Sequence, residues 1–400
     1  MKKYISIIAT CLTLSACNSF NELESVKEIE PISVNVALDF NIANVAEMKD
    51  LTLKFDNYDE ALHYEKVVSG EKISMDGILP GIYTVNVTGT AIDTEGNEYY
   101  LNGSVVNQGI FQEGSSLNLT VKGLKISPLV FKEIYFACSR TPLNKSYIYE
   151  QFYEVYNNSS SILYLDGIHF ANLYPDKSST NLPLWPEEDG DDYIYALRVW
   201  KFPGSGKDYP LQPGESCVIA QFAVNHQLDI YNPASPVDNS SADFEFYMDN
   251  ANYTNAPAPD MEHVFYDGKA EKGKLKQYLT TVFGGAYVAF QVPEGETWDP
   301  VNDPNMQTRD LSTTKATLYA KIPIRYVLDA GITWVGATYN GLGVCRKLSL
   351  DDNGEPIQRE NGAYIYQDTN NSTDDFERGV VPVLRRNNAG MPEWNHTLKK

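Results

Sequence analysis

The sequence is short of basic residues, cysteine and histidine, and each shortage argues against a class of function. It has 32 lysines and arginines against 53 aspartates and glutamates, which gives a net charge of −21. A chain this acidic repels phosphate groups, so nucleic acid is not expected as a partner. The five histidines form no HExxH or related spacing, and the sequence contains no GxSxG nucleophile motif. We therefore assign no catalytic residue and expect no enzyme.

Five cysteines are present, and none of them lies in a CxxC pair. Cys138, Cys217 and Cys345 each sit in an apolar, strand-like stretch of the chain. An odd number without paired spacing argues against a disulfide framework and against a zinc site. These three residues are predicted to be buried free thiols that pack as small apolar side chains.

The first sixteen residues have the features of an export signal. Two lysines precede an apolar run over residues 4–14, which is too short to span a membrane. The run ends at Cys17 in Leu-Ser-Ala-Cys, which resembles a bacterial lipobox. The resemblance implies that residues 1–16 are removed, that acyl chains on Cys17 anchor the protein in the membrane, and that residues 17–30 form a tether. Asn18 and the acidic residues after it resemble signals for the outer membrane and the cell surface. The alternative is an ordinary signal peptide that contains a cysteine.

The rest of the chain lacks apolar residues at helical spacing over any long window. Short alternating runs are instead broken by Gly, Pro, Asn and Asp about every ten residues, which favours an all-β protein built from sandwiches. Residues 31–125 contain about seven such runs and are predicted to form the first sandwich. Within it, the sequence Leu-Pro-Gly-Ile-Tyr-Thr-Val at 79–85 resembles a corner of prealbumin-like domains, which also occur as carboxypeptidase regulatory-like modules. That resemblance implies a spacer without chemistry.

Residues 128–385 carry three ordered motifs of a second sandwich. A strand, a serine-rich turn and another strand occupy 150–167, the run Pro-Gly-Glu-Ser-Cys-Val-Ile-Ala ends the segment 209–220, and an Asp-Thr-Asn-Asn turn opens 368–376. In this order they resemble the lamin-tail domain, an immunoglobulin-like β-sandwich, here enlarged by long insertions. Residues 386–400 show no apolar pattern, and we expect a loosely ordered tail.

A narrower resemblance covers the same part of the chain. Together with the motifs above, the segments Ile-Pro-Ile-Arg-Tyr-Val-Leu-Asp-Ala at 322–330 and Cys-Arg-Lys at 345–347 resemble a family of Bacteroidota lipoproteins with a domain of unknown function, DUF4876. Members of that family often accompany TonB-dependent outer-membrane transporters. The resemblance implies such a transporter as a partner, but it implies no reaction.

Aromatic residues in the first insertion are the candidate ligand contacts. Trp185, Tyr193, Tyr195 and Trp200 lie close together in the sequence, and flat rings can stack on the apolar faces of sugars. A glycan or peptide ligand would be bound there if these rings are exposed. The alternative is that they pack in the core or pair across strands, as most aromatic residues of a strand-rich chain do.

Two acidic clusters are candidate sites for a calcium cofactor. The first contains Asp189, Asp191 and Asp192, and the second contains Asp351 and Asp352. Calcium requires six to eight oxygen ligands, but neither cluster has the alternating spacing of an EF-hand loop. A solvated loop is the alternative for each cluster.

These observations predict a lipid-anchored surface protein that binds or scaffolds, as an accessory of TonB-dependent nutrient uptake. A surface glycan- or peptide-binding protein that acts alone is the first alternative. A hydrolase that uses a carboxylate pair is the second. The pair would be Glu154 with Asp166 or Asp189, or Glu154 or one of residues 189–192 would line a concave pocket together with a second carboxylate. The structural alternative for Glu154 is that it accepts hydrogen bonds from backbone amides of the neighbouring turn.

Overall fold

The structure, a computed structural model, describes residues 29–177, 182–250, 254–271, 278–332, 334–351 and 353–399. Its elements are almost all strands, so the prediction of an all-β protein is confirmed. Contacts divide the chain between Leu124 and Lys125 into two compact units, an N-terminal unit and a C-terminal unit. Cys17, the predicted lipid attachment site, lies outside the described residues.

The N-terminal unit contains seven strands that bury alternate side chains. They are β1 (Ile32–Asn41), β2 (Val45–Asn57), β3 (Leu62–Val67), β4 (Lys72–Ile78), β5 (Gly81–Asp93), β6 (Glu98–Ile110) and β7 (Ser115–Ile126). In β5, Tyr83, Val85 and Val87 are fully buried, while the residues between them are only partly buried. This alternation is expected of a sheet with one face against a core.

All seven strands belong to one hydrogen-bonded sheet with the order β3-β2-β5-β6-β7-β1-β4. Buried side chains from both halves of the sheet, including Phe55 of β2 and Val36 of β1, form a single apolar cluster. Because the described part of this unit contains no other layer, the sheet must fold over to bury one face against itself. The result is a sandwich made from one continuous sheet.

The C-terminal unit is built from two larger sheets and two short hairpins. The six-stranded sheet has the order β17-β16-β11-β8-β23-β24. Its strands are β8 (Leu129–Tyr135), β11 (Phe152–Asn157), β16 (Ser216–Ala220), β17 (Phe244–Glu245), β23 (Gly343–Arg346) and β24 (Phe376–Val380). The hairpins pair β9 (Ser139–Arg140) with β10 (Ser146–Tyr147) and β12 (Leu163–Tyr164) with β15 (Pro210–Leu211).

The seven-stranded sheet has the order β20-β21-β14-β13-β19-β22, and β18 also pairs with β14. Its strands are β13 (His169–Leu173), β14 (Tyr193–Lys201), β18 (Glu262–Tyr266), β19 (Ala286–Phe290), β20 (Gln307–Thr308), β21 (Tyr319–Pro323) and β22 (Val327–Ile332). The only α-helix among the described residues is the single turn α1 (Ser372–Asp375). Short 3₁₀ turns occupy Glu187–Asp189, Pro304–Met306, Ile324–Tyr326, Arg386–Asn388 and His396–Lys399.

Aromatic side chains from the two sheets meet in the core of the C-terminal unit. The ring of Tyr153 on β11 lies 4.8 Å from the rings of both Phe170 on β13 and Tyr287 on β19, measured between centroids. All three side chains are almost completely buried. Side chains from facing sheets that interdigitate in this way define a β-sandwich.

Residues 386–399 are packed against the C-terminal sandwich, so the prediction of a loosely ordered tail is wrong over the described residues. The Arg386 guanidinium lies 2.9 Å from the buried carboxylate of Glu133. The Trp394 indole N–H donates to the Pro210 carbonyl oxygen at 2.7 Å, and Asn395 is fully buried. Polar pairs with distant residues fix this segment, and such pairs leave no periodic apolar pattern in the sequence.

Two further expectations can be compared with the structure. Cys138, Cys217 and Cys345 are buried and form no disulfide, which confirms their prediction as free thiols. Among the described residues, no helix has both the length and the apolar character needed to cross a membrane.

Candidate functional site

A groove of about 1100 Å³ opens on the C-terminal unit. Its wall is formed by the end of β13, the start of β14, the start of β19, the loop before β14, and β24. The volume is slightly above the range of about 300–1,000 Å³ that is typical of small-ligand sites. Three of the four aromatic residues predicted as ligand contacts line it: Trp185, Tyr193 and Tyr195.

Stacked rings form one wall of the groove. Trp185 stacks on Tyr195 with 3.8 Å between ring centroids and an interplanar angle of 22°. Beside this pair, Tyr174 stacks on Tyr319 at 4.5 Å. The backbone of Leu184 is fixed because its N–H donates to the Asp310 carboxylate at 3.0 Å. The adjoining Trp185 therefore has a defined position over Tyr195.

The Tyr195 hydroxyl is a buried donor without a hydrogen-bond partner among the described residues. Its side chain is 6% exposed. Burial first, and then the nearby Asp189 and Asp191 carboxylates, raise the pKa of Tyr195 to about 12. The hydroxyl consequently remains protonated in the wall of the groove at neutral pH.

The ring of Tyr193 makes a cation–π contact with Lys321. The Lys321 ammonium lies 4.9 Å from the centroid of the Tyr193 ring. The same ammonium lies 2.6 Å from the Asp189 carboxylate. This cation–π contact and the ion pair connect β14, β21 and the turn at Glu187–Asp189.

Trp200, the fourth predicted ligand contact, is a core residue instead. Its side chain is fully buried, and its ring packs against Phe246 and Tyr278 at centroid distances of 5.1 and 5.3 Å. A ligand in the groove cannot stack on a ring enclosed between the two sheets. The prediction that Trp200 contacts a ligand is therefore wrong. Trp200 is close in sequence to Tyr193 and Tyr195, but its ring lies on another surface of β14.

Two groove rings that sequence reasoning missed are the most exposed ones. Phe283 and Trp334 are 52% and 43% exposed, and both line the groove. Trp334 makes no ring contact with any residue that the structure describes, whereas Trp185 and Tyr195 cover each other. The available signal for Phe283 was weak: a large aromatic residue directly before Gly284 and Gly285.

Charged residues of both signs line the groove, and cations are in the majority. Lys177 and Arg378 provide two positive charges, and Asp191 provides one negative charge. The Lys177 ammonium lies 6.0 Å from the centroid of the Phe283 ring. The lining is therefore positive on balance, in a chain whose net charge is −21.

The first acidic cluster does not gather its carboxylates around a common point. Asp189 is buried and paired with Lys321, while Asp191 and Asp192 are exposed. Among the described residues, no group of three His, Cys, Asp or Glu side chains could hold a metal ion.

In the second cluster, Asp351 caps its own turn. Its carboxylate accepts the backbone N–H groups of Asn353 and Glu355 at 2.8 and 2.9 Å. The Asp351 carboxylate therefore stabilises a surface turn, as the solvated-loop alternative to a calcium site describes. Asp352 lies outside the described residues, so its part in a calcium site stays a prediction.

Glu154 and Asp166, the carboxylates considered for hydrolysis, are held by different donors. Glu154 is fully buried. One of its carboxylate oxygens accepts a hydrogen bond from the Lys132 ammonium at 2.8 Å, and the other accepts one from the backbone N–H of Arg385 at 3.0 Å. Asp166 accepts three backbone N–H groups of the 206–209 turn. The amide that reaches Glu154 comes from the C-terminal segment, not from the neighbouring turn as expected.

Two packed sheets and a ligand-sized aromatic groove on the C-terminal unit define the class: an all-β protein that carries a candidate binding groove. A family model described as "Protein of unknown function (DUF4876)" matches residues 212–330 and 327–383. A crystal structure of a DUF4876 family protein from Bacteroides thetaiotaomicron VPI-5482 is similar, with 61% sequence identity and a TM-score of 0.82. That match covers 92% of this chain and 100% of the other.

The chain therefore belongs to the DUF4876 family, which confirms the relationship predicted from its sequence motifs. The relative comes from a Bacteroides species, in agreement with the predicted Bacteroidota lineage. No curated protein matches the chain.

Proposed function

We propose that this protein is a non-catalytic binding protein of the outer-membrane surface, which captures its ligand in the groove of the C-terminal unit. The observation that carries the proposal is the pair of exposed rings, Phe283 and Trp334, in a groove of about 1100 Å³. Large rings left in water inside a concavity favour a ligand that covers them.

The chemistry of the groove favours a glycan over a peptide. Sugar rings present flat C–H faces that match aromatic side chains, and the groove also carries amide and hydroxyl side chains at Asn370 and Thr373. Many peptide grooves depend instead on the unpaired backbone of an edge strand. An edge strand, β24, also borders this groove, but the apolar contacts come from side chains of several separate segments, including Phe283 and Trp334.

No observation favours the hydrolase alternative. Glu154, Asp166 and Asp189 are not among the lining residues; Asp191 lines the groove without a second lining carboxylate, whereas the hydrolase alternative requires a pair. Glu154 and Asp166 each accept hydrogen bonds that already occupy both of their oxygens. We therefore retain binding, without chemistry, as the function of the groove.

An array of neutral oligosaccharides, acidic oligosaccharides and short peptides tests the proposal with the full chain. We expect wild-type protein to bind a set of oligosaccharides, and a Phe283→Ala/Trp334→Ala variant to lose those signals. Tyr58→Ala is the matched control, because Tyr58 is 77% exposed but belongs to the N-terminal unit. Signals that are equal in all three proteins, an array with no signal, or binding of peptides alone would contradict the proposal.

The proposed location rests on the lipobox-like sequence that ends at Cys17. Mass spectrometry of the protein from membranes should find a chain that begins at an acylated Cys17. An unmodified thiol there, or a leader that is still attached, would refute the anchor.

A TonB-dependent transporter is the proposed partner, on the basis of the family resemblance. Affinity capture of the native lipoprotein from solubilised outer membrane should recover one such transporter in stoichiometric amount. Recovery of the lipoprotein alone would instead support a binding protein that acts without a transporter.

A further inference from the structure

We infer that the ligand of the groove is an acidic oligosaccharide whose sugar units carry carboxylates. This inference rests on the proposed function and names the ligand class of the same site. It depends on the placement of two cations beside the two exposed rings.

Arg378 is the first of these cations. It is exposed on β24, and its guanidinium forms no hydrogen bond or ion pair with any residue that the structure describes. Two buried arginines of this unit are paired with carboxylates: Arg346 contacts Asp329 at 2.5 Å, and Arg385 contacts Asp243 at 2.7 Å. Arg309 is also exposed without such a partner among the described residues, but it does not line the groove. In a chain with 53 acidic residues, an arginine that faces a groove without a partner is suited to a carboxylate from outside.

The edges of the two sheets bring Arg378 towards Trp334. β24 is the edge strand of one sheet and β22 that of the other. The Phe376 ring lies 3.5 Å from the position that a Cβ atom on Gly331 would take, so the side chain of Phe376 on β24 contacts β22 at Gly331. Arg378 shares a strand face with Phe376, and Trp334 follows Gly331 by three residues. Both side chains then line the same groove.

The second cation and the second ring repeat this arrangement. The Lys177 ammonium lies 6.0 Å from the centroid of the exposed Phe283 ring. Each ring can cover the flat face of one sugar, while the neighbouring cation pairs with a carboxylate on that sugar. A uronic acid unit carries both features on a single ring, and a chain of such units repeats them.

The charge of the whole protein does not prevent this binding. Exposed charges are largely screened beyond about 8–10 Å at physiological salt, so the local balance of the groove decides the interaction. Within the groove, the two cations outnumber the one carboxylate, Asp191. An uncharged oligosaccharide would leave both cations without a partner.

Calorimetric titration of the full chain tests this inference with defined probes. The acidic probes are tetragalacturonate and a hyaluronan tetrasaccharide, and the neutral probe is the methyl ester of tetragalacturonate. We expect at least one acid to bind, with an affinity that falls as salt is added, and the ester to bind about tenfold more weakly. Arg378→Gln should raise the Kd for the acid by up to about fivefold and leave the ester unchanged. Arg140→Gln, a change outside the groove lining, should alter neither.

The outcomes separate this inference from the proposed function. If acid and ester bind equally and Trp334→Ala weakens both, the groove binds sugars but the charge argument is overturned. The same holds if neutral oligosaccharides bind while both acids fail. Binding of a tetraglutamate peptide as tight as that of the acids would replace the sugar with an acidic peptide. A wild type that binds no oligosaccharide at all would overturn the proposed function together with the inference.

Discussion

Removal of the Glu154 carboxylate should destabilise the C-terminal unit strongly without any direct effect on the groove. Glu154 and Lys132 form an ion pair at 2.8 Å, and their side chains are 0% and 1% exposed. The second Glu154 oxygen accepts the Arg385 N–H at 3.0 Å. Glu154→Ala therefore leaves a buried ammonium and a partly buried backbone amide without their acceptor.

The expected cost is about 3–5 kcal/mol, because one partner of a buried pair remains charged and unpaired. For a unit of this size, about 2–4 °C of melting temperature is lost per kcal/mol, so we expect a decrease of roughly 10 °C. All five tryptophans lie between residues 185 and 394. Tryptophan fluorescence during urea or thermal unfolding therefore reports on the C-terminal unit specifically.

Two controls isolate the mechanism. Glu262→Ala breaks an ion pair with Lys201 in which both side chains are at least 36% exposed, and it should cost less than about 1 kcal/mol. Replacement of both buried partners, as Lys132→Met with Glu154→Leu, should recover most of the lost stability. If Glu154→Ala unfolds like wild type, the pair is not structural. If it keeps its stability and loses an activity, the carboxylate has a chemical role.

Three further predictions concern other parts of the fold. Burial, opposed by N–H groups of Ala223 and Ala256, raises the pKa of Glu245 to about 7, so the folded state holds an extra proton between about pH 4.5 and pH 7. As the pH rises from about 4.5 to 7, the unfolding free energy of wild type should therefore fall by about 3 kcal/mol relative to that of Glu245→Gln. A difference between the two unfolding free energies that does not change with pH would refute the raised pKa. Trp200→Ala should cost about 3–5 kcal/mol in urea unfolding, whereas an unchanged midpoint would place its ring outside the core. Gly103→Ala brings a Cβ to 2.7 Å from the Thr120 carbonyl oxygen, so it should lower the unfolding free energy by about 1–3 kcal/mol, measured by circular dichroism. An unchanged unfolding free energy would show that β7 can move away from the added methyl group without loss of stability.

The strands of the N-terminal unit could be predicted because their pattern is local. The alternation that begins at Ile32 marks β1, and the motif at 79–85 leads into β5. The strand lengths were less accessible: β5 extends to Asp93, eight residues past the end of that motif. Its continuation is fixed by pairing with β2 and β6, and no short sequence window contains those partners.

The groove could be predicted only in part because several distant segments meet there. Trp185, Tyr193 and Tyr195 lie within eleven residues of the sequence, so their concentration was visible. Phe283 and Trp334 come from segments about 90 and 140 residues further along, and the order of the strands brings them to the same place. Their exposure depends on packing that is not encoded by local spacing.

The packing of the C-terminal segment was hidden for a related reason. Arg386 pairs with Glu133 across more than 250 residues, and Asn395 reaches Asp243 in the same way. Charged and amide residues near the end of a chain usually indicate a solvated tail. Their buried partners, Glu133 and Asp243, are distant in the sequence and come close only in the folded sandwich.

The most direct test of the central claim is a crystal structure of the full chain with a bound oligosaccharide that it recognises. We predict sugar rings against Phe283 and Trp334, with a carboxylate near Arg378. A sugar bound at another surface, with the groove free of ligand, would contradict the account.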